Sequence, residues 1–408
     1  MSNISPVKSI LELSAFDPIA KEDPHARLKP LREQCPVWRD EGAKTWVLSR
    51  YADVRGVVND RTLWRGGEHA EPGSFSRFLL DESRLHEPAG ERQSILTMDE
   101  PDHSRIRTPL AKAFYARVAK SRPKIDAIVS AALDRVAGKP SFDLIEEVAI
   151  PIPIIAIARI LGVDDQRLEE FRDWSEGVIL GLNPVRTPDE TAHMERSQVA
   201  MTDYFTELMA RRRAKGEDDL MTDMVTLQAE GAPLNDIEVR INLLALLVGG
   251  NLTTTDLIGN GVRLFLLNPA QKDKLMADPS LAAQAVEEIL RYEGPVDITG
   301  RVLSGEREIG GCPMKASQSI MVSLRGANRD PEMFDRPDEF DITRKGQPHV
   351  SFGGGAHICI GAPLARMEGV SFFSTFFQRF PTLKLVDEPP QWRALPFFRG
   401  LERLRVEV

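Results

Sequence analysis

The sequence predicts one large, mainly α domain with small β-sheets. Three observations predict it: apolar residues recur at helical spacing from Asp102 to about Phe265, short β-like runs flank that region, and no repeat, low-complexity tract or long linker divides the 408 residues. A chain of this length exceeds the size at which most single cores split, so the lack of a linker decides for one domain over 1–408. With 42% hydrophobic and 28% charged residues, the chain is globular and can bury a sizeable core.

The elements follow in order. Val37-Trp38-Arg39-Asp40 and Trp46-Val47-Leu48-Ser49, separated by Glu41-Gly42-Ala43-Lys44, read as two short strands around a turn. The helical region is broken at Gly138-Lys139-Pro140, Gly162-Val163-Asp164, Leu182-Asn183-Pro184 and Gly231-Ala232-Pro233. A long helix begins near Asn235, which forms an Asn-x-x-Glu capping pattern with Glu238. Leu243, Leu244, Leu246 and Leu247 make it apolar nearly all round, as befits a central buried helix. Its interior run Gly249-Gly250-Asn251-Leu252-Thr253-Thr254-Thr255 lowers helix propensity and can open a groove or kink. A second small sheet follows, with runs Arg301-Val302-Leu303 and Ile320-Met321-Val322-Ser323 punctuated by Gly310-Gly311 and Cys312-Pro313. Helical spacing returns from Ala362 to Phe377, and the alternating run Leu401 to Val408 suits a terminal strand.

Composition excludes several classes. A formal charge of -9 and a pI near 5.5 argue against a nucleic-acid partner, which needs a basic face. Met1 to Phe16 has no long apolar core, so neither a signal peptide nor a membrane anchor is expected and the protein is placed in the cytoplasm. The three cysteines, Cys35, Cys312 and Cys359, are far apart in sequence and form no CxxC pair, which excludes a zinc ribbon and argues against a disulfide framework.

Cys359 has unusual surroundings. The stretch Ser351-Phe352-Gly353-Gly354-Gly355-Ala356-His357-Ile358-Cys359-Ile360-Gly361 is glycine-rich and leads into Ala362-Pro363-Leu364, where Pro363 suits a first helical turn. A cysteine just before a helix N-terminus meets free N–H groups and partial positive charge, which favour a thiolate, and the glycines let a broad flat group approach the backbone. The residues alone leave two readings open: an inert buried thiol, or a nucleophile with His357 as its base. A phosphate loop is excluded, because Gly-Lys-Ser/Thr is absent.

The pattern Phe352-x-x-Gly355-x-His357-x-Cys359-x-Gly361 resembles the haem-binding signature of the cytochrome P-450 family at each fixed position. This resemblance implies a triangular, mainly α domain enclosing heme b (iron protoporphyrin IX), with Cys359 as the axial iron ligand. Phe352, Gly353 and Gly361 then belong to the haem loop, and His357 binds a propionate. Glu288-Ile289-Leu290-Arg291 resembles the family's structural pair, while Glu339 stands where many members place the arginine that completes that brace. His103, Arg107 and Arg301 match propionate ligands. Gly249 to Thr255 aligns with the family's distal helix signature, Thr253 taking the hydroxyl role. Leu252 occupies the usual acid position, so proton delivery falls to ordered water, with Asn251 as a relay-positioning amide and Asp256 on the same helix.

The resemblance further implies a bacterial monooxygenase that uses two electrons and dioxygen to hydroxylate or epoxidise a small to medium hydrophobic substrate. NAD(P)H serves indirectly, through a ferredoxin and its reductase, to a monomeric chain. A basic strip of Arg105, Lys112, Arg117 and Lys120 is a candidate ferredoxin surface, with ordinary solvated helix charge as the plain alternative. Candidate pocket residues are Leu246, Gly249, Gly250, Val296, Ile298 and Phe397. Leu180 to Pro184 is read as a lid and Gly66 to Leu80 as a second mobile wall. A peroxide-driven peroxygenase and a non-catalytic haem-binding or ligand-sensing protein are the rival readings.

Overall fold

Residues 6–86, 94–183, 185–346 and 348–408 are described in the computed structural model. Its helices are α1 (Pro18–Glu22), α2 (His25–Gln34), α3 (Tyr51–Asn59), α4 (Phe75–His86), α5 (Asp102–Val118), α6 (Arg122–Val136), α7 (Pro151–Leu161), α8 (Leu168–Ile179), α9 (Pro188–Ala214), α10 (Leu220–Ala229), α11 (Asp236–Leu267), α12 (Pro269–Ala277), α13 (Ala282–Glu293), α14 (Leu324–Ala327), α15 (Ala362–Phe373) and α16 (Phe376–Arg379). Its strands are β1 (Val37–Asp40), β2 (Thr45–Leu48), β3 (Ser141–Asp143), β4 (Ile298–Val302), β5 (Arg307–Ile309), β6 (Cys312–Met314), β7 (Ser319–Ser323), β8 (Lys384–Leu385), β9 (Gln391–Trp392), β10 (Leu401–Arg403) and β11 (Arg405–Glu407). This is the mainly α class with small sheets.

The largest sheet has the order β1-β2-β7-β4, so the early and late strands join across most of the sequence. Strand β2 runs parallel to β7, with Trp46 opposite Ile320, and β4 lies antiparallel to β7, with Arg301 opposite the same residue. The β5–β6 hairpin turns through Gly310 and Gly311, at φ 59° and 79°, a conformation that side chains rarely tolerate.

Helix α11 runs through the centre. Its 32 residues span about 48 Å, and its start is fixed by reciprocal bonds of 2.8 Å from Glu238 N to Asn235 Oδ1 and from Asn235 N to Glu238 Oε2. It is long and apolar enough to cross a membrane by length and composition, yet from Thr254 to Val262 every residue is buried among other helices. Close packing there depends on glycine. A Cβ at Gly261 would meet Phe373 Cζ of α15 at 2.4 Å and Ile289 Cδ1 of α13 at 2.7 Å. These contacts join the cluster in which Phe265 meets the rings of Phe373 and Phe377 at 5.7 and 5.2 Å.

Three local expectations change. The run 249–255 stays within one uninterrupted helix, and the Thr253 hydroxyl returns to the Gly249 carbonyl at 2.8 Å. The helix expected over 362–377 is broken at Ser374 and Thr375, both of which hydrogen-bond back to the preceding turn. The terminal strand splits at Leu404, because β10 pairs with β9 whereas β11 lies between β3 and β8.

Gly261→Ala should therefore destabilise the fold by about 1–3 kcal/mol in chemical denaturation, the usual cost of overpacking a core. Gly56→Ala in α3 serves as its contrast: a Cβ at that exposed helical position meets nothing within 4 Å, so helix propensity should make that variant neutral or slightly more stable.

Candidate active site

The cysteine loop is shaped by what lies under it. Gly353 and Gly355 adopt φ of 69° and 62°, and a Cβ on Gly355 would strike the Val58 carbonyl at the end of α3 at 2.7 Å. The loop closes through Gly353 N to Val350 O (2.8 Å) and Cys359 N to Phe352 O (2.9 Å). Cys359 is exposed on its open side, yet desolvation by the chain packed around it pushes the thiol up. The backbone N–H groups of Gly361 and Ala362, followed by Arg107 and Arg366, oppose that shift, so the surroundings already hold the devices that favour sulfur as an anion. Arg107 is further fixed by donating to the Ile358 carbonyl.

Beneath the loop, Glu288 and Arg291 of α13 form a two-point ion pair at 2.7 and 2.8 Å, with both side chains at most 3% exposed. The same guanidinium donates to the carbonyls of Asn328 (3.0 Å), Pro337 (2.8 Å) and Glu339 (3.0 Å). Asn328 continues the connection: its Nδ2 donates to Ser351 Oγ and its Oδ1 accepts from Val350 N, at the start of the cysteine loop. Glu339 contributes only its backbone carbonyl to the brace. The second cation on Glu288 is Arg344, whose Nε lies 3.2 Å from Oε2 and which sequence reading did not single out.

A group of cations lines one side. His103 is 1% exposed: its Nδ1 lies 3.5 Å from Glu100 Oε1, its Nε2 has no hydrogen-bond partner among the described residues, and its ring lies 4.1 Å from that of His357. Burial and the neighbouring His103, Arg65, Arg301 and Arg107 push His357 down to about 2. Burial first, then Arg65, brings Arg301 down to about 9. Among the described residues, Arg301 donates to the carbonyls of Gly300 and Val58 and to no side chain. Glu100 beside His103 and Asp99 near Arg301 offset only part of this mutual depression, so an anion placed among these residues would stabilise them together. A haem would meet this requirement, since His103, Arg107, Arg301 and His357 would hold its propionates and the Cys359 sulfur would ligate its iron.

The comparisons with known proteins agree. The family model for cytochrome P450 matches residues 179–396. Cytochrome P450 107B1 of Saccharopolyspora erythraea is 38% identical over 402 residues, 97% of each chain. The chain belongs to the cytochrome P450 family. Among its relatives, the 6-deoxyerythronolide B hydroxylase of the same organism is 33% identical, covering 93% of this chain and 94% of that protein. The solved structure of CalO2 superimposes with a TM-score of 0.88 at 30% identity, covering 98% of this chain and 99% of that one. P450BioI bound to an acyl carrier protein ligated with hexadec-9Z-enoic acid gives 0.85 at 32% identity, covering 95% and 98%. The chain is therefore a cytochrome P450 monooxygenase, and the family's cofactor is haem.

On the distal side, α11 presents Gly249, exposed, and Thr253, half-buried, one turn apart. Leu252 is buried in a small cluster with Ile179 and Leu395, against which Val248 and Phe398 pack. Several residues expected in the proton relay or in the pocket lie elsewhere. Asn251 points away, because it is about 200° round the helix from Gly249, and its Nδ2 donates to Ser175 Oγ at 3.1 Å. Gly250 faces Ile157 of α7, to which its Cβ position lies 3.3 Å from Cγ1. Leu246 belongs to the main core. Phe397, at φ 64°, turns with Ile298 to the cluster around Val7 and Met321 and meets Phe75 edge-on at 5.8 Å. Its neighbour Phe398 faces α11 instead, bridged to Val296.

Asp256 is committed to Arg393 at 3.0 and 3.1 Å and is raised to about 6 by burial. Arg186, next to the expected lid, lies 3.7 Å from Glu82 of α4, while Pro184 itself falls outside the described residues. Of the basic strip, Arg105 pairs with Glu238 and Asp102, and Arg117 with Asp218 and Asp223. Lys112 and Lys120 are exposed without an ion pair among the described residues.

Sequence reading missed Glu368 on α15. It is 1% exposed, neither carboxyl oxygen has a satisfactory hydrogen bond, and the Thr254 hydroxyl of α11 is the polar group beside it. Burial raises it to about 8. The folded protein thus keeps this proton where the unfolded chain loses it, so stability should fall as pH rises from about 4.5 to about 8, at up to about 1.4 kcal/mol per pH unit from this group. Glu368→Gln should flatten that slope in urea denaturation measured across the interval.

Proposed function

We propose that this monooxygenase hydroxylates or epoxidises a small to medium hydrophobic molecule in the cytoplasm, with electrons passed from NAD(P)H through a ferredoxin and its reductase. The observation that carries the substrate class is the apolar cluster of Ile179, Leu252, Leu395 and Phe398 beside Thr253, in which the position usually given to an acid holds a leucine. Walls of this kind reward loss of apolar surface from water and offer no charged anchor. Lys112 and Lys120 support a proximal docking site for an acidic ferredoxin, a smaller one than the four-residue strip.

Cys359 would ligate the iron, while His103, Arg107, Arg301 and His357 would hold the propionates. The loop from Phe352 through Gly353 to Gly361 would lie against the ring, and Glu288 and Arg291 would brace it. Bound haem supplies reductive activation of dioxygen and insertion of one oxygen atom into the substrate. The chain's residues supply ligation, orientation and protons. Thr253 Oγ1 donates to the Gly249 carbonyl, which leaves its lone pairs to accept a hydrogen bond from a water or acid above them. Leu252 carries no proton, and Asn251 and Asp256 are occupied elsewhere. Glu368, a neutral buried carboxyl next to Thr254, would serve as the proton store in place of the missing distal acid, recharged from bulk water after each proton it gives up.

Two experiments test this reading. Reduced protein with carbon monoxide should show the red-shifted Soret band of a thiolate haem, and Cys359→His should lose it. Turnover of a panel of apolar compounds should proceed with NADH, ferredoxin and reductase. Under those conditions Thr253→Ala should continue to consume NADH while product falls roughly tenfold or more and hydrogen peroxide accumulates. Turnover with peroxide alone, and none with the electron-transfer proteins, would favour a peroxygenase.

A further inference from the structure

A second convergence of ligating side chains lies at the edge of the large sheet, apart from Cys359. Trp64 pairs with Val302, and the chain then turns through Arg65 and Gly66 into a single helical turn, Gly67–His69. Asp99, thirty-odd residues later, is locked over that turn: its Oδ1 accepts from Arg65 N at 2.6 Å and its Oδ2 from Gly66 N at 2.9 Å. His69 Nε2 lies 3.6 Å from the same Oδ2, and its ring is held in a stack on Trp64 at 4.2 Å. Glu68 folds back over Gly66, so closely that a Cβ there would lie 2.5 Å from the carboxyl carbon and both oxygens.

Glu68, His69 and Asp99 thereby bring one ligand atom each to within 4.8 Å of one another. The Glu68 carboxylate makes no ion pair or side-chain hydrogen bond among the described residues, although it stands beside a second carboxylate. Arg65, the cation that acts on Asp99, has its guanidinium occupied by the carbonyls of Leu96 and Gly300 and by Thr299 Oγ1. Each Asp99 oxygen keeps an acceptor site after taking one N–H. The imidazole is oriented by its stack and the aspartate by two amides, which is how supporting contacts prepare ligands for a metal.

We propose that Glu68, His69 and Asp99 bind one divalent transition-metal ion of borderline softness, zinc being the type, with water completing its shell. One imidazole and two carboxylates suit such an ion, whereas magnesium and calcium favour shells of oxygen alone. The ion ties the 67–69 turn to the segment leading into His103. Because α4 lies against that turn, with Ser76 O 2.6 Å from the Cβ position of Gly67, the site also secures α4.

Gly66→Ala provides the most specific test, since it removes no ligand atom but displaces the Glu68 carboxylate, the end of a flexible side chain. Titration of the holoenzyme with zinc by calorimetry should give one saturable site per chain. Affinity should fall roughly tenfold or more in His69→Ala, Glu68→Gln and Gly66→Ala, all compared at equal haem content, and excess magnesium should not displace the zinc. Lack of a saturable site in the native enzyme, or unchanged affinity in His69→Ala or Gly66→Ala, would overturn the three-residue site.

Discussion

Taking a carboxylate and a guanidinium out of water costs several kcal/mol for each ion, and the cost is met only when geometry and additional hydrogen bonds are good. Glu288 and Arg291 satisfy that demand. Their two-point contact uses Nε and one N–H of Nη2, which leaves Nη1 for the carbonyls of Asn328 and Pro337 and the other N–H of Nη2 for that of Glu339, while Arg344 and the amide of Asp341 take the remaining lone pairs of Glu288. The pair therefore fixes an irregular stretch of chain that has no sheet or helix of its own to hold it. Through Asn328 and Ser351 that stretch sets where the cysteine loop begins, and everything from Phe352 to Gly361 is placed by consequence.

The loop was legible in the sequence because its chemistry is local: glycines at positive φ, a cysteine and a helix start all fall within eleven residues. The central helix was legible for a similar reason, since its capping residues and its apolar run are contiguous. Arg344 was not, because its role is created by a partner 56 residues away rather than by its own neighbours. The distal pocket misled for a different reason. Phe397 takes a left-handed backbone conformation that an aromatic residue adopts at a cost, and this single residue reverses which of two adjacent phenylalanines faces α11. Asn251, in contrast, could have been placed correctly from helical periodicity: a residue two positions from Gly249 cannot share its face.

The cations near His103 and the carboxyl of Glu368 are complementary departures from ordinary burial. On one side, burial first and then the neighbouring cations push His103, His357 and Arg301 down, and Glu100 and Asp99 offset only part of that at His103 and Arg301. On the other, Glu368 lies in an apolar interior without a cation and keeps its proton. Both follow from the same low-dielectric penalty on unpaired charge. They differ in what relieves them: the first would be relieved by an anion from outside the chain, the second requires only a proton.

This difference bears on how Leu252 is tolerated. An acid at that position would need a hydrated path to stay ionised, and water would then have to enter the apolar space beside Ile179, Leu395 and Phe398. Leucine closes the path and extends the apolar wall. The proton source must then sit where hydration is not required, and a neutral carboxyl meets that condition because its resting form carries no charge to solvate. Glu368, beside Thr254 on the buried face of α11, lies on the side of the helix away from the apolar cluster, so the proposed dry pocket and the proposed proton store do not compete for space.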